Sequence, residues 1–272
     1  MHLNKINLYD MHIHSHFSGD SNAMPADIAK KACELGLSGI YFTDHLDIDY
    51  REEPELFLLD IPTYKSEISI LQDTFSEHLS IGWGIELGLQ PHIVSENNQI
   101  IKNNDFDFII GSTHVVNHID IYYPSYYEEK SEDDCYRQYF EETLVNASSD
   151  VDYDVYGHLD YVVRYGPNKN RFYSYEKFAD IIDEILRTII QKGKGIELNT
   201  AGFKYGLGHA HPTIEILKRY RELGGEIITI GSDGHAPEQI AWDFKKVPDI
   251  LKTAGFTHFT IFNQRRPKFI KI

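Results

Sequence analysis

Apolar positions along the chain fall into short β-rich runs separated by longer stretches with helical spacing. The first run, Ile6-Asn7-Leu8-Tyr9-Asp10-Met11-His12-Ile13-His14, is followed by Pro25 to Gly36, which reads as a helix. Proline opens that segment, Ile28, Ala32 and Leu35 share a face, and glycine ends it. The pattern then repeats. Further strands are predicted near 38–43, 79–86, 106–113, 153–158, 195–199, 226–232 and 257–262, with helices near 60–78, 92–103, 132–148, 174–192, 212–223 and 244–254. Such alternation implies parallel strands joined by crossover helices, and its length points to a closed or nearly closed α/β barrel. A doubly wound sheet is the runner-up.

A chain of 272 residues with 42% hydrophobic content can build one large core, because α/β barrels of about 250 residues commonly form a single domain. One domain over residues 1–272 is expected, since neither a Pro/Gly-rich linker nor an internal repeat divides the chain. No run of about 18 apolar residues and no basic-then-apolar leader is visible, which predicts a cytoplasmic protein with no membrane partner. Cys33 and Cys135 lack Cys-x-x-Cys spacing and are read as buried thiols. A formal charge of −16 without a basic run disfavours nucleic acid as a partner. A small anionic substrate stays compatible, because bound divalent cations reverse the local field.

The polar residues that interrupt this pattern are not scattered. Six of the fourteen histidines, His12, His14, His45, His114, His158 and His235, stand with Asp20, Glu86 and Asp233 at or just past the ends of apolar runs. On a strand, His12-x-His14 points both imidazoles to one face, because side chains repeat every second residue. In a barrel, the C-terminal strand ends face one another around the mouth, so nine such residues there describe a metal centre. A lone histidine at a strand end is usually a surface or hydrogen-bonded residue; six histidines and three acids recurring together at such ends are not.

Those motifs, Asp10-Met11-His12-Ile13-His14, Thr43-Asp44-His45, Gly84-Ile85-Glu86, Ser112-Thr113-His114, Gly157-His158-Leu159-Asp160 and Ser232-Asp233-Gly234-His235, resemble the ordered motifs of the polymerase and histidinol phosphatase (PHP) family over nearly the whole chain. Within it the chain is similar to the monofunctional histidinol-phosphate phosphatases, through Gly-His-x-Asp followed by an arginine, Asn199-Thr200-Ala201-Gly202, and the ending Arg265-Arg266-Pro267. The resemblance implies a distorted (β/α)7 barrel holding three divalent ions. It assigns His12, His14, Glu86 and Asp233 to one ion, His114 and His158 with bridging Glu86 to a second, and Asp20, His45 and His235 to the third. Imidazole and carboxylate ligands suit Mn²⁺, Fe²⁺ or Zn²⁺.

The implied reaction is hydrolysis of L-histidinol phosphate to L-histidinol and phosphate, with metal-activated water as nucleophile. Another small phosphate or a nucleotide is the alternative substrate, and a non-catalytic metal-binding module is the least favoured reading. Arg164 occupies the family's phosphate-binding position, and Lys204 stands where similar enzymes carry arginine. Glu86, Asp233 and His235 are the remaining candidate catalytic residues. Asp10, Asp44 and Asp160 are expected to orient imidazoles. The 115–131 segment, with Asp120, Tyr122, Tyr123, Tyr126, Tyr127, Glu128 and Glu129, is a candidate for covering the substrate. His209 and His211, in a Gly-rich loop, are read as surface or substrate-loop residues, and His16 as outside the centre. His2, His78, His92, His118 and His258 carry no spacing signal.

Overall fold

The computed structural model describes residues 7–272, so His2 and the Ile6 end of the expected first strand lie outside the described residues. Strands β1 (Tyr9–Ile13), β2 (Gly39–Phe42), β3 (His45–Leu46), β4 (Ser80–Gly88), β5 (Phe108–Ser112), β6 (Val115–Val116), β7 (Ile119–Asp120), β8 (Val155–Tyr156), β9 (Gly195–Asn199) and β10 (Ile228–Gly231) follow in order. Seven of them pair in the parallel order β1-β2-β4-β5-β8-β9-β10, with β3 added to β4. The result is a nearly closed seven-stranded α/β barrel. β4 shows why the strands read as continuous apolar runs: every residue after Ser80 is buried, as expected for a strand covered on both faces.

The barrel closes between β10 and β1 through one isolated bridge, Ile13 to Gly234, in which the His14 N–H donates to the Gly234 carbonyl at 2.9 Å. Buried Asp10 reinforces the seam by accepting from the Ser232 N–H (2.9 Å), the Ser232 hydroxyl (2.6 Å) and the Ala241 N–H (2.8 Å). Burial pushes its pKa up to about 6 against those hydrogen bonds. Asp10 thus joins strands and reaches no imidazole nitrogen, contrary to the expectation that it orients one.

Helices α1 (Pro25–Leu35), α2 (Ile61–Phe75), α3 (Val94–Asn103), α4 (Glu132–Ser148), α5 (Ala179–Gln191), α6 (Ala201–Lys204), α7 (Ile214–Glu222) and α8 (Val247–Thr253) complete the units. α5 buries Ile181, Ile182, Ile185, Leu186 and Ile189, an i, i+3/i+4 stripe facing the strands. α1 starts at Pro25 and stops at Gly36, whose φ of 73° lets Leu37 donate back to Ala32.

The run expected as a strand at 257–262 is not a barrel strand. β11 (His258–Asn263) pairs antiparallel with β12 (Arg266–Lys271), which sequence patterning did not predict. The two turn residues, Gln264 and Arg265, both take positive φ (47° and 63°), the geometry a two-residue hairpin needs, without the usual Asn-Gly. The hairpin packs against the barrel, with Phe262 stacked on Phe108. Cys135 is buried, but Cys33 is only half-buried, and both are free thiols.

Candidate metal centre

Glu86, near the end of β4, is wholly buried and lies at the centre of five imidazoles. Its Oε2 is 3.1 Å from His12 Nε2, 3.5 Å from His14 Nε2 and 3.1 Å from His45 Nδ1. Its Oε1 is 3.0 Å from His158 Nε2 and 3.4 Å from His114 Nε2. His14 Nε2 is also 3.4 Å from Asp233 Oδ1. At the outer edge, Asp20 Oδ2 lies 3.0 Å from His235 Nε2 and 3.8 Å from His45 Nε2, and the His14 ring stacks between those of His45 and His235. All nine residues predicted from the sequence therefore converge. Their grouping is less partitioned than expected, because His45 reaches Glu86 as well as Asp20.

The donor set fits divalent ions. Nε2 of His12, His14 and His114, Nδ1 of His45 and Oε2 of Glu86 are buried polar atoms without hydrogen-bond partners, which is costly unless something else satisfies them. Two donors each about 2.1 Å from a common ion and at a tetrahedral angle stand about 3.4 Å apart, as these nitrogen and oxygen atoms do. Burial holds the pKa of His14 well below the usual imidazole value, helped by His235 and His45, and burial lowers that of His158. Both lone pairs are thereby free to coordinate. Burial acts to raise Glu86 and Asp233, but His12 beside the first and Arg164 beside the second hold both carboxyls well below their ordinary range.

Sequence reasoning missed the groups that aim these rings. Glu197, 1% exposed in the middle of β9, puts Oε1 2.7 Å from His12 Nδ1, while its Oε2 accepts from the His158 N–H. Asp47 Oδ1 lies 2.7 Å from His114 Nδ1. A carboxylate only accepts, so each imidazole keeps a hydrogen on Nδ1; against burial, Glu197 and Glu86 hold His12, and Asp47 and Glu86 hold His114, well above the usual imidazole pKa, and an ion bound at Nε2 would displace the hydrogen there. The available signals were a lone acid inside the apolar Gly195–Asn199 run and the alternation His45-x-Asp47. Asp44 instead acts one bond away, accepting from the Ser18 hydroxyl, which contacts His14 Nδ1. Asp160 binds His211 Nδ1 (2.6 Å) and the Thr213 N–H, so His211 is wholly buried rather than in an exposed loop. His16 stands apart, 3.8 Å from Glu67.

Above the cluster opens a cavity of about 480 Å³, lined by Asp20, His45, His114, His158, Asp233 and His235 together with a polar wall. Arg164 lines it too. Its guanidinium lies over the rings of Tyr161 and Tyr205, 4.7 and 4.2 Å from their centroids, and Nη2 donates to Asp233 Oδ2 at 2.9 Å. Lys204 stands one layer back, its ammonium donating to the Asp233 carbonyl (2.8 Å) and Gln239 Oε1 (3.0 Å); burial pushes its pKa down to about 8. From the 115–131 segment, Asp120, Tyr122 and Tyr123 reach the cavity, whereas Tyr126 is buried beneath α4 and Glu128 and Glu129 are exposed.

Residues 10–201 match the PHP domain. The chain belongs to the PHP family. The histidinol-phosphatase of Lactococcus lactis subsp. lactis (strain IL1403) is 34% identical to this PHP protein over 256 residues, 93% of this chain and 94% of that one. A probable histidinol-phosphatase of Clostridium acetobutylicum is 32% identical over 88% of this chain and 90% of that one. The crystal structure of the Lactococcus lactis histidinol phosphate phosphatase complexed with zinc, L-histidinol and phosphate superposes with a TM-score of 0.89 at 33% identity, covering 96% of this chain and 99% of that chain. A putative histidinol phosphatase from Listeria monocytogenes, 17% identical, shares the fold of this PHP protein with a TM-score of 0.79, over 88% of this chain and 99% of that one. No helix among the described residues is long and apolar enough to cross a membrane.

Proposed function

We propose that this PHP protein is a metal-dependent phosphomonoesterase that hydrolyses L-histidinol phosphate to L-histidinol and phosphate, with residues 1–272 acting as one catalytic domain. The observation that carries the reading is the Glu86-centred cluster of buried, unpartnered imidazole nitrogens beneath a cavity with an arginine at its edge. Supporting it is the likeness, over 96% of the chain, to an enzyme whose structure holds zinc, L-histidinol and phosphate.

We assign His12, His14, Glu86 and Asp233 to one divalent ion, Glu86, His114 and His158 to a second, and Asp20, His45 and His235 to a third, with Mn²⁺, Fe²⁺ and Zn²⁺ all compatible with this nitrogen and oxygen donor set. When bound, such ions supply Lewis acidity that makes water nucleophilic near neutral pH and offsets phosphoryl charge. The chain's own groups do the rest. Glu86 spaces the two inner groups, and Glu197 and Asp47 fix the tautomers of His12 and His114. Arg164 holds Asp233 through Nη2, and its guanidinium, at the cavity wall, offers positive charge to the phosphoryl oxygens. Lys204 adds positive charge behind that carboxylate and holds the turn that carries it. Tyr50, Glu53, Asp120, Tyr122 and Tyr123, which also line the cavity, offer acidic and aromatic groups to the ammonium and imidazole of the leaving alcohol.

The testing experiment compares kcat/KM for L-histidinol phosphate, sugar phosphates, nucleoside monophosphates and an aryl phosphate. L-Histidinol phosphate is expected to lead by at least about 10²-fold, or roughly 2.7 kcal/mol of transition-state discrimination. Equal efficiency on a nucleotide would transfer the assignment to a general phosphoesterase.

A further inference from the structure

Outside the central cavity, three metal-ligating side chains from three separate segments meet at the rim. Asp49 lies just beyond β3, His92 in the turn after β4, and His118 at the tip of the β6–β7 hairpin. Asp49 Oδ2 is 2.8 Å from His92 Nε2 and 3.9 Å from His118 Nδ1, and the two imidazole centroids are 5.1 Å apart. One donor atom from each lies within 4.8 Å of the other two.

An Asp49–His92 ion pair accounts for only part of this arrangement. The His118 side chain is 40% exposed, yet its Nδ1 is turned inward, buried, and without a hydrogen-bond partner, on the side that faces Asp49. An exposed imidazole ordinarily turns each nitrogen to water or to a hydrogen-bond partner. A nitrogen withheld from water and aimed at a carboxylate already engaged by another imidazole is the arrangement a bound cation satisfies. Two imidazoles and a carboxylate form a borderline donor set that selects zinc-like divalent ions over magnesium or calcium, and the exposed side leaves a fourth position for water.

We propose that Asp49, His92 and His118 form a peripheral site for one zinc-like divalent ion, separate from the Glu86 cluster. The ion ties the β6–β7 hairpin to the segments after β3 and β4. That hairpin carries Asp120, whose carboxylate accepts from Tyr50 at 2.8 Å, and both residues line the cavity, so occupancy of the rim site braces the substrate-facing wall. Arg51, whose Nε lies 3.7 Å from the same Asp49 oxygen, is the cation that competes for it.

The test is equilibrium dialysis of the purified holoenzyme, its central ions in place, against zinc chloride, with metal counted per chain. Wild type is expected to take up one further zinc. His92→Asn and His118→Asn should each weaken that uptake at least about tenfold; asparagine tolerates the positive φ of 65° at position 118. Arg51→Ala should tighten it, and His258→Asn should leave it unchanged. Zinc should also slow proteolysis within residues 115–123 in wild type and not in His118→Asn. No additional zinc in wild type, or uptake by either asparagine variant equal to that of wild type, would overturn the proposal.

Discussion

Glu197 Oε1 sits 2.7 Å from His12 Nδ1, a contact that passes from β9 to β1 over Gly231 of the intervening β10. A Cβ at Gly231 would stand 2.2 Å from that oxygen and 2.4 Å from His12 Cβ. Glycine is therefore required by the close approach of two side chains. Glu197→Gln should lower metal affinity by about 10- to 100-fold without unfolding the barrel, as loss of a group that orients a ligand does. Gly231→Ala should match or exceed it. Metal content after dialysis against a graded chelator series checks both.

Glu86 is the carboxylate on which the inner groups converge, so Glu86→Gln, nearly the same in shape, removes the shared negative charge. Metal per chain and kcat/KM should both fall, the latter by more than about 10²-fold. His12→Ala and Asp233→Ala should also remove most activity. His78→Ala, exposed and distant, should stay near wild type. Element analysis beside the phosphatase assay separates loss of metal from loss of turnover.

Arg164 holds Asp233, and the proposed function has it face the phosphoryl group as well. Arg164→Ala should reduce kcat/KM by about 10²-fold or more, with Arg164→Lys recovering part, because an ammonium cannot span both partners as a fork. Lys204→Ala should cost less, since its ammonium acts from behind the Asp233 carbonyl. Steady-state kinetics at constant metal content is the measurement; unchanged kinetics in Arg164→Ala would remove it from the site.

His211 gives a pH prediction. Burial pushes its pKa from 6.5 down to about 4, against the pull of Asp160, so the folded chain holds it neutral while the unfolded chain protonates it. A lowered folded pKa contributes stability fully above pH 6.5, and the contribution is lost as the pH falls toward 4. The loss is about 2 to 3 kcal/mol between pH 7 and 4.5. His211→Asn, which retains a donor toward Asp160, should flatten that part of the stability profile, as read by urea unfolding of both proteins across the range.

The barrel and the convergence of the candidate ligands were legible because both rest on short-range pattern. Continuous apolar runs mark strands covered on two faces, Pro25 and Gly36 bracket a helix, and His12-x-His14 shares a face by strand geometry alone. Groups that act at long sequence separation left weaker traces. Glu197 reaches His12 across 185 positions, and nothing local distinguishes it from an acid misplaced in a strand. His211 was read as a surface or substrate-loop residue because it follows the Gly206 and Gly208 loop, whereas its partner Asp160 lies 51 residues away. The β11–β12 hairpin escaped because Gln264 and Arg265 adopt a turn geometry their side chains do not advertise.

The seam at Asp10 has a consequence for how metal enters and leaves. β1 and β10 meet through one bridge and a carboxylate instead of a full ladder, and the candidate ligands divide across them, His12 and His14 on one lip, Asp233 and His235 on the other. Ions held by both lips as proposed would act as a clasp, which would make closing the barrel and filling the centre one linked equilibrium. Metal exchange would then require only local opening along this line, and the amides of β1 and β10 are expected to be the part of the barrel whose hydrogen exchange follows metal concentration.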